Sequence, residues 1–301
     1  MIEGMCSYRP DDAHRIAAFL RDVHRQDPRF DGPEDDAFAA FVAQPSNRGG
    51  ADFVIATVHG EIAAVLLSAR ASEMDRDRDV RSFKVIVHPD ARGRGLGERL
   101  LAAAERQDPA GKVVWRTVID AELRALGSVL EHRGYGLKQT ILLMRRTGIP
   151  PMMGTLPPGL TLRDADPVRD AEVITQLYNV AHRSAFGFAP ISQADLQATL
   201  GAPGGRLMVV ESVDGEVIGS AQTLPFYDRV GVLHALEIAP HWQGRGLGKY
   251  LAKAAIEALA QSGFRTVDLA VDAENGPAVG LYRGLGFVVA RRDLTYEAGG
   301  R

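Results

Sequence analysis

The sequence predicts a mixed α/β fold, an α+β mixed sheet, built twice along one chain. Three observations carry this reading. The 301 residues suit two domains at about 150 residues each. The phrase Arg92-Gly93-Arg94-Gly95-Leu96-Gly97 returns as Gln243-Gly244-Arg245-Gly246-Leu247-Gly248, with Gly248 standing 151 residues after Gly97. Each phrase also follows an apolar run closed by a proline (Val85 to Val87 before Pro89, Leu236 to Ala239 before Pro240) and opens an apolar helical pattern.

The coarse order of elements is the same in both halves. In the second half it begins with a strand at Leu160–Arg163 and helices over about Val168–His182 and Gln193–Leu200. A strand Leu207–Ser212 is joined through Asp214-Gly215 to a strand Val217–Leu224, as in a hairpin. Then come a strand Val232–Ala239, the loop, a helix Gly246–Gln261, a strand Thr266–Val271, a helix Pro277–Arg283 and a strand Phe287–Ala290. Gly134-Tyr135 and Gly286-Phe287 correspond near the ends of the halves, so duplication explains the repeat. Pro150, Pro151, Pro157 and Pro158 with three glycines make residues 148–159 a stiff linker. The expected domains are therefore 1–147 and 160–301.

Composition narrows the class. With 46% hydrophobic and 24% charged residues the chain is globular, and a net charge of −3 gives no general electrostatic case for nucleic acid or an anionic membrane. The lone Cys6 forms no internal disulfide or cysteine metal cluster and is expected as a small buried apolar residue. No apolar run is long enough to span a membrane and no leader pattern opens the chain, so a cytoplasmic protein is expected. The histidines lack metal-ligand spacing, and no metal is expected.

A strand, a basic glycine loop and a helix in that order suit phosphate. Glycine lets backbone N–H groups turn outward, and the helix N-terminus adds partial positive charge. A dinucleotide fingerprint fails because Glu98 or Lys249 stands where its third glycine belongs. A P-loop fails because Gln243 stands at its first glycine and Tyr250 at its Ser/Thr.

The loops resemble the pyrophosphate loop of the GNAT superfamily of N-acetyltransferases, [Gln/Arg]-x-x-Gly-x-[Gly/Ala], through Gln243, Gly246, Gly248 and through Arg92, Gly95, Gly97. The second half also resembles the family's later motif through Asn275, Ala278, Tyr282, Gly286 and Phe287. The resemblance implies two tandem GNAT-like domains and acetyl-CoA as cosubstrate. Its pyrophosphate would lie on residues 243–248, beside Ile238, Ala239 and Asn275, with Val87 and Arg92 to Gly97 as the counterpart in the first half. Its pantetheine would lie between the strands flanking the loop helix.

Acetyl transfer to an amine needs a neutral nucleophile and an acid for the departing thiolate. The resemblance places Tyr282 beside the sulfur as acid. For the base, His234 lies six residues before Pro240, and histidine changes charge near neutral pH. The segment Leu233-His234-Ala235-Leu236 with its loop resembles arylalkylamine N-acetyltransferases, in which a histidine at this place helps deprotonate the amine. Glu237 is the second candidate, and strand alternation puts it on the other face from His234 unless a bulge intervenes; a water relay is the third. Tyr227 and Asp228 are weaker candidates for the acceptor pocket.

In the first half Phe83, Ile86, Leu130 and Leu123 stand where the second has His234, Glu237, Tyr282 and Asn275. The first half is thus expected to be degenerate and the second catalytic. The reading is an N-acetyltransferase acting on a primary amine of a small molecule, such as a polyamine, aminoglycoside, amino acid or peptide N-terminus. Mycothiol synthases resemble the chain in tandem layout and act on a cysteinyl amine, yet they carry glutamate where this chain has Val232. A CoA-binding sensor or assembly module without turnover is the alternative from another class. Neither the oligomeric state nor restriction to acetyl among acyl groups is legible.

Overall fold

The computed structural model describes residues 4–28, 30, 32–71, 79–108, 111–148, 150, 154–188, 190–200, 204–226 and 230–299. The chain divides into two compact units. The first is made of Met1–Ile119, Leu123–Lys138 and Thr295–Arg301, and the second of Asp120–Glu122 and Gln139–Leu294.

In the first unit, β1 (Gly4–Ser7) precedes α1 (Ala13–Gln26) and α2 (Asp35–Ala43), followed by β2 (Val54–Val58), β3 (Glu61–Arg70) and β4 (Asp79–Val87). The glycine loop leads into α3 (Leu96–Glu105), then β5 (Val113–Asp120) and α4 (Arg124–His132). The strands run β1-β2-β3-β4-β5, antiparallel except for the parallel pair β4–β5. Ile16, Ala17, Phe19, Leu20 and Val23 form the apolar stripe of α1, all buried against Phe53, Ile55 and Val65 of the sheet side.

The second unit repeats the plan. β7 (Leu160–Asp164), α5 (Ala171–His182), α6 (Gln193–Leu200), β8 (Arg206–Ser212), β9 (Val217–Pro225) and β10 (Val230–Ile238) precede the second glycine loop. After it come α7 (Leu247–Gln261), β11 (Thr266–Asp272), α8 (Gly276–Gly284) and β12 (Val288–Gly299). The strands run β7-β8-β9-β10-β11, and β11 is bordered by β6 (Gly136–Thr147). The helix α7 packs close to the sheet because Gly231 and Gly219 leave room: a Cβ there would come within 2.5 Å of Leu259 and 3.0 Å of Leu251.

The division differs from the expected domains at both ends. Residues 139–147 belong to the second unit, where β6 pairs antiparallel with β11 from Thr147↔Thr266 to Ile141↔Asp272. Leu142 and Met144 lie in that unit's core. In return, residues 295–301 belong to the first unit, where Glu297 accepts from Arg116 Nε at 2.7 Å with both side chains nearly buried. At Gly299 a Cβ would stand 2.4 Å from the Val113 carbonyl oxygen. Each unit thus takes a strand segment from the far end of the other's sequence. Within the expected linker, residues 149 and 151–153 lie outside the described residues.

Two smaller expectations change. Cys6 is exposed, because it sits on the edge strand β1. The last strand runs to Gly299 instead of ending at Ala290. Among the described residues no helix is long and apolar enough to cross a membrane, and no three His, Cys, Asp or Glu side chains are grouped to hold a metal ion.

Candidate active site

The loop between β10 and α7 is shaped by glycine where the backbone requires it. Gly244 and Gly246 have φ of 74° and 82°, a region costly for L side chains, and a Cβ on either would point into open space. Gly246 is the N-cap of α7 and no side chain caps the helix, so its first-turn N–H groups face outward. Gln243 anchors the turn by donating from Nε2 to the Ile238 carbonyl at 3.0 Å. The Arg245 guanidinium lies over the Trp242 ring, 4.7 Å from its centroid. Leu247 is buried, and Gly248 sits on the β10 side, where a Cβ would meet Leu281, Ile238 and Leu236 at 3.3 to 3.8 Å. The Ala239 N–H is already committed to the Ile218 carbonyl at 2.9 Å.

Beside the loop the sheet opens. β10 and β11 pair in parallel only at Val230↔Thr266, Gly231↔Val267 and Val232↔Asp268. Beyond Val232 the edge of β10 facing β11 has no ladder partner, leaving room for an extended group that can bond to a strand edge.

A bulge lies in β10 where the two strands part. Leu233 pairs with Thr223 and Ala235 with Gln222, so His234 is the extra residue. The bulge reverses the alternation. Leu233, Leu236 and Ile238 pack into the core with α7, and Glu237 turns to the opposite face, toward α5. With unbroken alternation from Leu233 through Ala235, Glu237 would point into that α7 core.

Glu237 is 3% exposed and well held. Its Oε2 accepts from Ser220 Oγ at 2.8 Å, Ser220 being its cross-strand partner on β9, and its Oε1 lies 3.3 Å from His182 Nε2 at the end of α5. The Tyr178 ring lies against His182, tilted by 33° at 4.4 Å between centroids, the i, i+4 spacing on α5. Tyr282 comes from α8, half-buried and edge-on to Phe287 at 5.8 Å. Burial, and then the Glu237 charge, push its phenol up to about 12. The same two causes raise the Tyr178 phenol. A single buried carboxylate thus bears on two phenols and one imidazole.

Asn275 caps α8, its Oδ1 accepting from Ala278 N–H at 3.2 Å. His234 is exposed and stands outside the hydrogen-bond network of Glu237. Tyr227 and Asp228 lie outside the described residues. His182, Ser220 and Tyr178 were not legible as site residues; only the i, i+4 spacing of Tyr178 and His182 was a local signal, and nothing in it points to Glu237.

The first unit carries the same loop with different surroundings. Gly93 and Gly95 have φ of 75° and 70°, Arg92 Nε donates to the Val87 carbonyl at 3.3 Å, and Gly95 caps α3 through a buried Leu96. Gly97 is placed like Gly248, and Arg94 Nη2 donates to the Asp90 carbonyl at 3.1 Å. But Arg92 is paired with Asp27 at 2.9 Å, and α3 has Glu98 in its first turn. Where β4 and β5 part after Ser82↔Arg116, Thr117 Oγ1 donates to the Phe83 carbonyl at 2.9 Å. The Phe83 ring meets Trp115 and Tyr135 edge-on at 6.2 and 5.8 Å, so aromatic rings pack together where the second unit has His234 and its bulge.

Comparisons with known proteins match both halves of the chain. The profile of the acetyltransferase (GNAT) family matches residues 172–287, and that of an acetyltransferase (GNAT) domain matches residues 49–135. A mycothiol acetyltransferase of Paenarthrobacter aurescens is 32% identical over 231 residues, covering 71% of this chain and 69% of that protein. A mycothiol acetyltransferase of Streptomyces griseus is 29% identical over 294 residues, covering 95% and 91%. Two solved structures share the fold. A GCN5-related N-acetyltransferase from Sphaerobacter thermophilus has a TM-score of 0.74 at 24% identity, covering 99% of this chain and 96% of its own. A tandem GNAT protein from the clavulanic acid biosynthesis pathway has a TM-score of 0.71 at 16% identity, covering 99% and 98%.

Proposed function

The chain belongs to the GNAT acetyltransferase family and is an acyltransferase, and from that premise we propose that its second unit transfers an acetyl group from acetyl-CoA to a primary amine of a small molecule by direct attack. The observation that carries the reading is the buried Glu237 carboxylate, on the face toward α5, whose charge adds to burial in raising the Tyr282 phenol.

The residues fit the cosubstrate. The uncapped start of α7, the left-handed Gly244 and Gly246, and the open space beyond them suit a pyrophosphate, and the free edge of β10 suits an amide-bearing arm. Glu237 takes a proton from the acceptor ammonium, since an alkyl amine with a pKa near ~10 is mostly protonated at neutral pH. The freed nitrogen lone pair attacks the acetyl carbonyl carbon, the C–S bond breaks, and the sulfur leaves with the bonding pair. Tyr282, protonated at neutral pH, supplies the proton to that sulfur. His234, exposed at the bulge, is placed to meet solvent and acceptor instead of the buried carboxylate.

A second reading, acetylation of a cysteinyl amine, is favoured by the mycothiol acetyltransferase relatives. In this chain the carboxylate stands at Glu237, three residues before Pro240, and Val232 occupies the earlier position. The test is thiol release from acetyl-CoA with phenethylamine, spermidine, kanamycin and cysteine methyl ester. Amine-dependent release that Tyr282→Phe lowers about a hundredfold is expected. Release that no amine stimulates would overturn the reading, and preference for cysteine methyl ester would select the second.

A further inference from the structure

Resting on that acetyl transfer, we propose that His182 is a positioning residue that carries the acceptor's proton from buried Glu237 out to solvent. A base that takes a proton in every turnover must lose it before the next. Glu237 is 3% exposed, so water does not reach it freely. A relay must accept a proton on an inner atom and release one from an outer face. Ser220 only donates to Glu237, at 2.8 Å. The Tyr178 and Tyr282 phenols are raised by burial and already hold their protons at neutral pH. His182 fits: its Nε2 lies 3.3 Å from Glu237 Oε1, and its side chain is 39% exposed.

The fold holds the ring for this purpose. Tyr178 lies against it at 4.4 Å. At the other end of α5, Asp170 accepts from Arg163 Nη1 at 2.6 Å and from the Asp166 N–H at 2.7 Å, fixing where the helix starts. His182 is the last residue of α5, which puts its outer ring face beside solvent.

The proton count balances. The ammonium loses one proton to Glu237, Glu237 passes it to His182 Nε2, and the imidazolium releases a proton to water. The nitrogen gains the acetyl group as the C–S bond breaks; it then loses its second proton, which replaces the one Tyr282 gives to the departing sulfur, and the net products are the amide, the free thiol and one proton. The described titratable groups facing His182 are Glu237 from β10 and Tyr178 from its own helix; β9 contributes the uncharged Ser220, and Tyr282 acts only through Glu237.

The experiment uses the full chain with whichever of the four amines above gives the fastest thiol release. His182→Ala and His182→Gln are both expected to lower kcat at least tenfold with the KM for acetyl-CoA unchanged, because glutamine keeps a hydrogen bond but carries no proton. Added imidazole is expected to restore His182→Ala several-fold with saturation, and to leave Glu237→Gln inactive. A His182→Gln enzyme as fast as wild type, or a slow His182→Ala enzyme that imidazole does not restore, overturns the relay. If Glu237→Gln is inactive in that case, acetyl transfer through Glu237 stands without it. A fully active Glu237→Gln overturns both. So does the absence of amine-dependent release by the wild-type protein.

Discussion

The two glycine loops have nearly the same backbone and stand in opposite company. At Gly93 and Gly244 φ is 75° and 74°, and at Gly95 and Gly246 it is 70° and 82°. Arg92 and Gln243 each bond to the carbonyl five residues back, Val87 or Ile238. What differs lies around them. The first loop has its arginine tied to Asp27, a glutamate in the first turn of its helix, and a cluster of three aromatic rings about Phe83. The second has an acid-free first turn, and the strand before it is bulged at His234. A phosphate loop is therefore a backbone shape that survives duplication cheaply, whereas a reaction site needs the strand beside it to be broken at one residue.

The strongest way to break the comparison is chemical. Tyr282→Phe is expected to lower kcat by about a hundredfold or more while acetyl-CoA still binds, as for loss of one positioned acid. Leu130, the corresponding residue of the first unit, is buried at 2% exposure and has no proton to give. Its change to Met is expected to leave kcat within about twofold, a volume-conserving swap in the core. Steady-state kinetics with acetyl-CoA varied checks both, and equal losses in the two units would dissolve the proposed division of labour.

Next come the loops. Gly246→Val forces a β-branched residue to φ of 82° at the helix cap. The free loop relaxes out of that conformation to relieve a strain of about 1–2 kcal/mol, and restoring it on binding is expected to weaken acetyl-CoA affinity roughly tenfold. Gly95→Val carries a similar strain in the first unit and is expected to leave that binding unchanged. Titration calorimetry reads both, and the wild-type chain is expected to bind one acetyl-CoA, not two, because Arg92 is paired with Asp27 and Glu98 stands in the first turn of α3. A stoichiometry of two would overturn that reading of the first unit.

A pH measurement sharpens the role of Glu237. Its negative charge disfavours ionisation of Tyr282, whose phenol stands at about 12 against an ordinary value of 10.0. On the proposed role of Tyr282 as acid, its proton is expected to stay in place through neutral and mildly alkaline pH. Removing the charge in Glu237→Gln lowers the phenol toward 10 but not to it, since burial is the larger cause and remains. Difference absorbance of tyrosinate, with Tyr282→Phe as the blank, is expected to show that downward move. An unchanged midpoint would separate the two groups.

What the sequence reveals of this site depends on distance along the chain. The loop, Asn275 and Tyr282 were legible because spacing within a few residues defines them. Glu237 was legible only as a candidate, because its face depends on a bulge at His234 that no alternation pattern announces. His182 was invisible: it lies 55 residues before Glu237, and only the packing of α5 on β10 joins them. The fold shows the same limit. Strand order within each unit follows from pattern, but β6 in the second unit is fixed by Leu142 and Met144 entering that unit's core, which the first half's sequence alone does not reveal. The long β12 was shortened in expectation because Arg291, Arg292 and Asp293 interrupt its apolar run.

The smallest effects separate the two anchors that look alike. Arg92 Nη2 donates to Asp27 at 2.9 Å, with Arg92 41% and Asp27 7% exposed at the side chain, and its guanidinium lies 5.9 Å from the Phe30 ring centroid. Arg92→Ala removes a charge-assisted bond to a nearly buried carboxylate. Solvent screening on the arginine side limits the cost to about 1–2 kcal/mol. For a unit of this size that is a Tm decrease of roughly 2–8 °C. Gln243 is exposed and makes a neutral bond to Ile238 at 3.0 Å, so Gln243→Ala is expected to change stability by less than about 0.5 kcal/mol. In KM for acetyl-CoA the order is expected to reverse, because Gln243 stands on the loop proposed to bind the cosubstrate and Arg92 is paired with Asp27. Thermal melts and kinetics on the two variants test this crossing directly. Equal behaviour in both measurements would mean that Arg92 and Gln243 still do the same work, and that the first loop has kept its ligand.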